Sequence, residues 1–278
     1  MDNNTRIVNF KPEHIKHFYE LNKAWIERYF FLEALDKKML EDPEAYILEK
    51  GGYIFIALYN NEIAGTCALI PCRYGVFELA KMAVSDLFQG KGIGYALGMH
   101  CIAAARMTGM RKIELLSNTV LTPAINLYRK LGFQEVPLPQ TGYQRANIKM
   151  ELDMQTLLKI SIVVDEAQPS GLVTNAVALI SSTIGNRVKF IIGSDARDRS
   201  GTQHAGLPWL PMTILKADQQ TLQFLRRKSE ASPALLKVDV SEHAQQVRIY
   251  EAYTKLVEET AEENLLYTAL GFYGDRQE

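Results

Sequence analysis

Apolar positions in the first half of the chain switch between a period of two and a period near 3.6, and the switches divide it into elements. Residues 7–10 predict a short strand. Residues 12–28 predict a helix, because Ile15, Phe18, Leu21, Ala24 and Trp25 recur at helical intervals, and a second helix is expected over 33–40. Three β-type runs follow at Tyr53–Tyr59, 63–70 and Val76–Val84. Asn60-Asn61-Glu62 joins the first two as a hairpin turn would, so an antiparallel meander is expected. Residues 92–109 read as a helix rich in small residues, crossing over to a strand at Lys112–Ser117. Thr122 as cap, Pro123 at the first helical position, Leu127 and Leu131 four apart and Gly132 as stop announce another helix. Strands over 133–136 and 143–152 are expected to close this part, around the turn-rich residues 137–142.

A boundary is expected between Asp153 and Lys159, giving domains over 1–154 and 157–278. Beyond it, the continuous apolar run 160–164 predicts a strand buried on both faces. The next helix carries Val173, Val177, Ile180 and Ile184 as its buried stripe, with Gly185 as its stop. A strand at 188–192, the polar loop 194–206, an apolar run at 212–215, a helix after Asp218, a strand at 235–240 and a long helix after Ser241 complete the pattern. Strands alternating with helices in both parts predict an α/β (α+β) chain of two domains, the second the smaller.

Composition narrows the function classes. Of 278 residues, 47% are hydrophobic and 23% charged, the mix of a chain that buries real cores. There are 18 basic against 17 acidic residues up to Met154 and 13 against 15 after it, so neither part has the positive field that nucleic-acid binding needs. No run approaches a membrane span, and the start of the chain lacks the basic flank and apolar stretch of a signal peptide. The three cysteines, Cys67, Cys72 and Cys101, have no metal-ligand spacing, which points to a reducing, cytoplasmic setting and no metal.

Candidate chemistry concentrates at Gln89-Gly90-Lys91-Gly92-Ile93-Gly94, between a strand and a helix, where unpaired backbone N–H groups and the helix dipole favour an anion. A dinucleotide fingerprint would need Gly-x-Gly-x-x-Gly, but Tyr95 holds the third glycine's place. A P-loop would need Gly-Lys-Ser/Thr, but Gly92 follows Lys91. A glycine-rich turn without ligand is the plain alternative.

The wider pattern is Glu78-Leu79-Ala80-Lys81-Met82-Ala83-Val84, then Gln89-x-x-Gly92-x-Gly94, then Ala124-Ile125-Asn126-Leu127-Tyr128-Arg129-Lys130-Leu131-Gly132-Phe133. It resembles the GCN5-related N-acetyltransferase (GNAT) superfamily over about residues 5–152. The resemblance implies a mixed sheet flanked by helices, with strands Val76–Val84 and Lys112–Ser117 splayed around acetyl-CoA. Met82 and Val84 would hold the pantetheine arm by their backbones, and Gln89, Gly90, Lys91, Gly92, Ile93, Gly94 and Tyr95 would surround the pyrophosphate. It further implies direct acetyl transfer to an amine, with Tyr128 matching the tyrosine that protonates the departing thiolate; otherwise Tyr128 is a packing aromatic. Glu78, a carboxylate sharing a strand face with Val76, Ala80, Met82 and Val84, is a general base acting through water, or else a solvated strand-end residue. Asn118, at the end of its strand, lines the cofactor cleft or simply makes a turn.

By the same resemblance the acceptor is expected against the early helices. Over residues 24–49 seven acids (Glu27, Glu33, Asp36, Glu41, Asp42, Glu44, Glu49) face three basic residues, favouring a cationic primary amine, small or peptide-borne. Trp25, Tyr29, Phe30 and Phe31 would wall it, with Glu33 as a candidate contact; as an alternative Glu33 pairs with Lys37 and the aromatics fill the core. The rival to an enzyme is a CoA-binding regulatory module without turnover, with the second domain as output. A dehydrogenase ranks third.

The second part, through Val163-Val164, Thr174-Asn175-Ala176-Val177-Ala178, Leu215-Lys216-Ala217-Asp218 and Tyr250-Glu251-Ala252-Tyr253, resembles the uncharacterised family numbered 2000 among domains of unknown function, whose fold is similar to type-two peptidyl-tRNA hydrolases. Asn175, Asp195, Arg197, Asp198, His204, Tyr250 and Tyr253 are its candidate ligand residues. Arg226-Arg227-Lys228 reads as the basic end of a helix rather than a phosphate site, and a tRNA-hydrolase role is disfavoured by the charge balance. Neither part settles the oligomeric state, for which a homodimer stays open.

Overall fold

The computed structural model describes residues 4–138 and 145–276. The chain divides into two compact units, residues 1–105 with 110–154, and residues 106–109 with 155–278.

In the first unit, β1 (Thr5–Asn9) leads to α1 (Ile15–Tyr29) and α2 (Ala34–Glu41). Then come β2 (Tyr53–Tyr59), β3 (Glu62–Arg73), β4 (Val76–Val84), α3 (Ile93–Thr108) and β5 (Lys112–Ser117). α4 (Thr122–Lys130), β6 (Gln134–Val136) and β7 (Ile148–Asp153) close the unit. The sheet runs β1-β2-β3-β4-β5-β7-β6, antiparallel except where β4 meets β5. The meander is present, and its hairpin turns on Asn60 and Asn61 at φ 51° and 69°, the left-handed pair that a two-residue turn with matching twist requires. Phe18 of α1, Met39 and Leu40 of α2, and Ile54, Ala68 and Ile70 of the sheet form one buried cluster that fixes both helices over one sheet face.

Three expectations need correction here. β3 extends to Arg73 rather than residue 70. Thr122 does not cap α4: it is already the first helical residue and Leu121 holds the cap position without a side-chain bond. The strand expected over 143–152 starts at Ile148, and residues 139–144 lie outside the described ones.

Lys81 breaks the alternation of β4. Thr66 pairs with Ala83 but Ala68 with Ala80, so Lys81 and Met82 together oppose Cys67 in a β-bulge, with Lys81 at φ +52°. The single strand face expected to run from Val76 to Val84 is therefore interrupted: Glu78 and Ala80 fall before the extra residue, Met82 and Val84 after it.

The second unit comprises β8 (Leu158–Asp165), α5 (Ser170–Arg187), the short hairpin β9 (Ala196–Arg197) and β10 (Gln203–His204), β11 (Met212–Ala217) and α6 (Gln219–Ser229). β12 (Leu236–Ser241), α7 (His243–Gln246), α8 (Tyr250–Glu258) and β13 (Tyr267–Asp275) follow. Its sheet runs β11-β8-β13-β12, with β11 parallel to β8 and the other neighbours antiparallel. β8 is the buried strand expected, with Ile160, Ile162 and Val164 at 1% exposure or less.

Residues 188–192 do not form a strand. Val188 and Ile191 are both buried three apart across a turn, and only an isolated Ile192–Pro208 bridge remains. Gly185 does not stop α5, which continues to Arg187. The long helix expected after Ser241 is two, broken where β-branched Val247 and Ile249 adopt extended backbone. β13, a central strand, was not among the elements expected. It contains Gly271 because a Cβ there would lie 2.2 Å from Ile180 of α5. Among the described residues no helix is long and apolar enough to cross a membrane.

Candidate active site

β4 and β5 pair only from Val76↔Lys112 to Glu78↔Glu114, yet β4 continues to Val84 and β5 to Ser117. Past Glu78 the two strands diverge, leaving the β5-side backbone of β4 unpaired by β5. A cleft of about 880 Å³ is lined by Met82, Val84, Gln89, Gly90, Gly92, Ile93, Gly94, Tyr95 and Tyr128 among others, so most residues expected around a cofactor share one wall system. A smaller cavity of about 70 Å³ adjoins it, lined by Trp25, Phe30, Glu78, Lys81, Asn118, Tyr128 and Arg145 among others. Trp25, Met82, Leu121 and Tyr128 line both.

The turn before α3 has the backbone geometry that favours an anion. Gly90 and Gly92 sit at φ +77° and +76°, and the Gly92 carbonyl accepts the first α-helical bond, from Ala96 at 3.0 Å. The preceding amides of Ile93, Gly94 and Tyr95 therefore have no partner one helical turn back, and the positive end of the helix dipole adds to them. Lys91 differs from its expected place: its ammonium stands 4.9 Å from the centre of the Tyr59 ring and does not line the cleft. Lys130, at the end of α4, lines the cleft instead, with its ammonium 4.7 Å from the centre of the Tyr95 ring. The Gln89 amide donates to Asp86 at 2.7 Å, and Asp86 also pairs with Arg28, which lowers its pKa.

Tyr128 stands at the junction of cleft and cavity, its ring edge-on to Phe133 at 6.2 Å. Burial pushes its phenol pKa above the ordinary value, so it keeps its proton at neutral pH. Among the described residues its hydroxyl has no hydrogen-bond partner. Glu78 is half-buried, and burial raises its pKa; Lys81 and Arg145 work against that rise, Glu114 and Asp36 with it.

Behind Glu78 lies an ion network. Asp36, fully buried, accepts from Lys81 Nζ at 2.7 Å and from Arg145 at 2.5 and 3.0 Å. Arg145 also reaches Glu33 at 3.2 Å. Burial alone would raise the Asp36 pKa, but the hydrogen bond from Arg145 and the Lys81 charge outweigh it and hold the carboxyl below its usual value.

These pairings correct two expectations about the acceptor. Glu33 lines neither cavity, because it is engaged by Arg145, and its partner is not Lys37. Two of the seven acids are thus neutralised internally, and their count does not by itself build a negative acceptor site. Trp25 lines both cavities, Phe30 the smaller and Tyr29 the larger, whereas Phe31 lines neither and is 62% exposed. Asn118 lines the smaller cavity rather than the cleft, its amide donating to the Arg145 carbonyl at 2.6 Å and accepting from Val120 at 3.0 Å. The cavity-lining positions not singled out from the sequence include Lys81, Arg145 and Lys130; a lysine inside an apolar strand run was the available signal for the first.

In the second unit, Asp195, Asp198 and His204 bond within their own loop: Asp195 accepts from Gln203 and Gly206, and Asp198 faces His204 at 3.3 Å. Arg197 lies in the same short hairpin. Asn175 reaches Gln245 at 3.5 Å, and Tyr250 and Tyr253 stand 5.8 Å apart on α8.

Comparison with known proteins agrees with this geometry. Residues 18–133 match the acetyltransferase (GNAT) family, and residues 158–278 match a family described as a protein of unknown function. The chain is 30% identical over 105 residues to the uncharacterised N-acetyltransferase YvbK of Bacillus subtilis, covering 37% of this chain and 68% of that protein. It is 32% identical over 99 residues to the N-acetylaspartate synthetase of Danio rerio, covering 35% of each. A GNAT-family acetyltransferase structure from Staphylococcus aureus shares the fold, with TM-score 0.50, 22% identity, and coverage of 54% of this chain and 99% of that one. The chain therefore belongs to the GNAT acetyltransferase family through its first unit. It is an acyltransferase, and acetyl-CoA is the co-substrate of its family.

Proposed function

We propose that the first unit transfers acetyl from acetyl-CoA to a primary amine by direct attack, both substrates being bound together. The observation that carries this reading is the position of Tyr128, a protonated phenol where the cleft meets the smaller cavity. A site for two substrates needs such a junction. The amides at the start of α3 and the diverging edge of β4 suit the pyrophosphate and the pantetheine arm, and acetyl-CoA supplies the activated thioester. Lys130 adds the cation near the phosphates. The smaller cavity takes the acceptor, with Trp25 and Phe30 as its apolar wall.

The proton inventory closes with residues of this chain. An ammonium must lose a proton before it attacks, and Glu78, with its raised pKa, accepts it through water. The amine nitrogen forms the new C–N bond, the C–S bond breaks, and Tyr128 gives its proton to the departing sulfur. The second proton leaving nitrogen restores the phenol through solvent. With Glu33 and Asp36 paired to Arg145, Glu78 is the carboxylate that favours a positive charge on the acceptor. Thiol release measured across a panel of amines tests the whole. Acceptor-dependent release is expected; binding of acetyl-CoA with no release for any amine would make the first unit a sensor.

A further inference from the structure

Lys81 carries a charge in a place that stability does not explain. Its side chain is buried, and so is that of Asp36, which accepts from its ammonium at 2.7 Å. A buried ion pair gains little over apolar side chains of the same volume, because both charges give up water. The fold nevertheless secures Lys81 at both ends. Its carbonyl accepts from the Thr66 hydroxyl at 3.0 Å, and Thr66 accepts from Asn22 Nδ2 at 3.1 Å, all three residues being buried. Asn22 in turn accepts from Trp25 Nε1 at 3.4 Å, so a chain of hydrogen bonds links two residues that line the smaller cavity. Such a buried chain specifies one arrangement.

The bulge decides which way the ammonium points. Glu78 and Ala80 share a strand face, and Ala80 packs on the cluster that contains Met39 and Leu40 of α2. Strict alternation would send Lys81, like Leu79, to the opposite face. The extra residue, at φ +52°, turns Lys81 back towards α2, where Asp36 takes it. Lys81 and Glu78 thus end on one side of the sheet and in the wall of one cavity. Strained backbone persists where the surrounding structure has a side chain to place.

Each element packed against Glu78 brings its own charges. β4 itself supplies Lys81, α2 supplies Asp36, and the segment before β7 supplies Arg145, which also holds Glu33. β5 sets Glu114 directly opposite Glu78, where Arg73 of β3 and Lys149 of β7 each pair with it at 3.0 Å. The Cys72 thiol of β3, pushed up to about 12 by burial and by Glu78, is neutral. Burial disfavours the ionised form of Glu78, and Lys81 is the strongest charge acting to restore it.

We propose that Lys81 is a positioning residue that acts through Glu78: anchored by Asp36, its ammonium keeps the carboxyl able to ionise in a poorly hydrated wall, and Asp36 limits how strongly. That Glu78 then serves as the base rests on the function proposed above; the charge relation between the side chains does not.

The test titrates the Glu78 carboxyl by ¹³C NMR in the full, unliganded chain, its resonance identified by its absence from Glu78→Gln. Lys81→Met removes a cation and should move the midpoint to higher pH, whereas Asp36→Asn removes an anion and should move it lower. Lys81→Arg, which keeps the charge, should hold the parent midpoint. A network that only braced the fold would loosen in both charge-removing variants, admit water to Glu78 and lower both midpoints. With an amine that the parent acetylates, the rate on the acid limb, relative to each variant's plateau, should fall about threefold in Lys81→Met and rise about threefold in Asp36→Asn. If Lys81→Met does not fold, Arg145→Gln removes a cation from the same wall and should give the same upward shift. Shifts of one sign in the cation and anion variants, no shift in either, or a folded Lys81→Arg that follows Lys81→Met would each overturn the proposal. If the midpoints move as expected but no amine is acetylated, or the acid limb ignores them, the action of Lys81 on Glu78 stands and the role of Glu78 as base falls.

Discussion

At the scale of single residues, Tyr128 and Glu78 have environments that push both pKa values up, with opposite consequences for their state at neutral pH. The phenol is locked in its acid form, whereas the carboxyl is moved toward the range where it gains and loses a proton readily. Tyr128→Phe should therefore lower kcat on the order of 100-fold, the scale of a positioned general acid, with little change in acetyl-CoA affinity measured by calorimetry. For Glu78 the rate should fall as pH drops through its raised pKa, and Glu78→Gln should lose that limb from the kcat profile. Stability supplies an independent readout. A carboxyl whose folded pKa lies above its unfolded value opposes folding once pH rises past that folded value, so Glu78→Gln should be more stable than the parent at high pH and no more stable at low pH. A variant that loses neither the limb nor the penalty would show Glu78 to be a solvated strand-end residue.

At the scale of elements, the ion network ties α2 to the bulge of β4 and to Arg145 before β7, three segments 45 and 109 residues apart in sequence. Asp36 has a lowered pKa, so its contribution is present above the unfolded carboxyl pKa and is lost as pH falls through the folded one. Asp36→Asn should cost about 3 kcal/mol in chemical denaturation at neutral pH, because it leaves Lys81 and Arg145 short of their partner, and the deficit should shrink in acid. The turn before α3 gives a second test: Gly92→Val forces a β-branched residue to φ +76°, costing about 1–3 kcal/mol, and should weaken acetyl-CoA binding beyond any loss of stability. Such long-range links explain what the sequence showed and hid. β2, β4 and β5 were legible to the residue because their apolar runs end at turn residues, and the Gln89–Gly94 loop was legible because its glycines serve a local backbone need. The bulge at Lys81 was not, since it exists only through pairing with β3 and Asp36. Nor was β13, whose Gly271 answers to Ile180 on a helix ninety-one positions earlier. The partner of Glu33 could not be read because Arg145, not the helical neighbour Lys37, reaches it first.

At the scale of the whole molecule, the contacts divide into two units of comparable size, each with its own sheet and buried cluster. We infer that the two melt as separate cooperative bodies, because each buries its own core and binding energy in one is felt by the other only through shared residues. Residues 106–109 complicate a simple cut, as the last turn of α3 groups with the second unit although the helix begins at the glycine turn of the first. Point variants in the full chain are therefore a cleaner test than truncation. Calorimetry should resolve two transitions. Acetyl-CoA at a hundred times its dissociation constant should stabilise the first unit by about 2.7 kcal/mol and raise that transition alone, and Gly92→Val should abolish the shift. If acetyl-CoA instead raised both transitions together, the two units would not melt as separate bodies and that inference would fail.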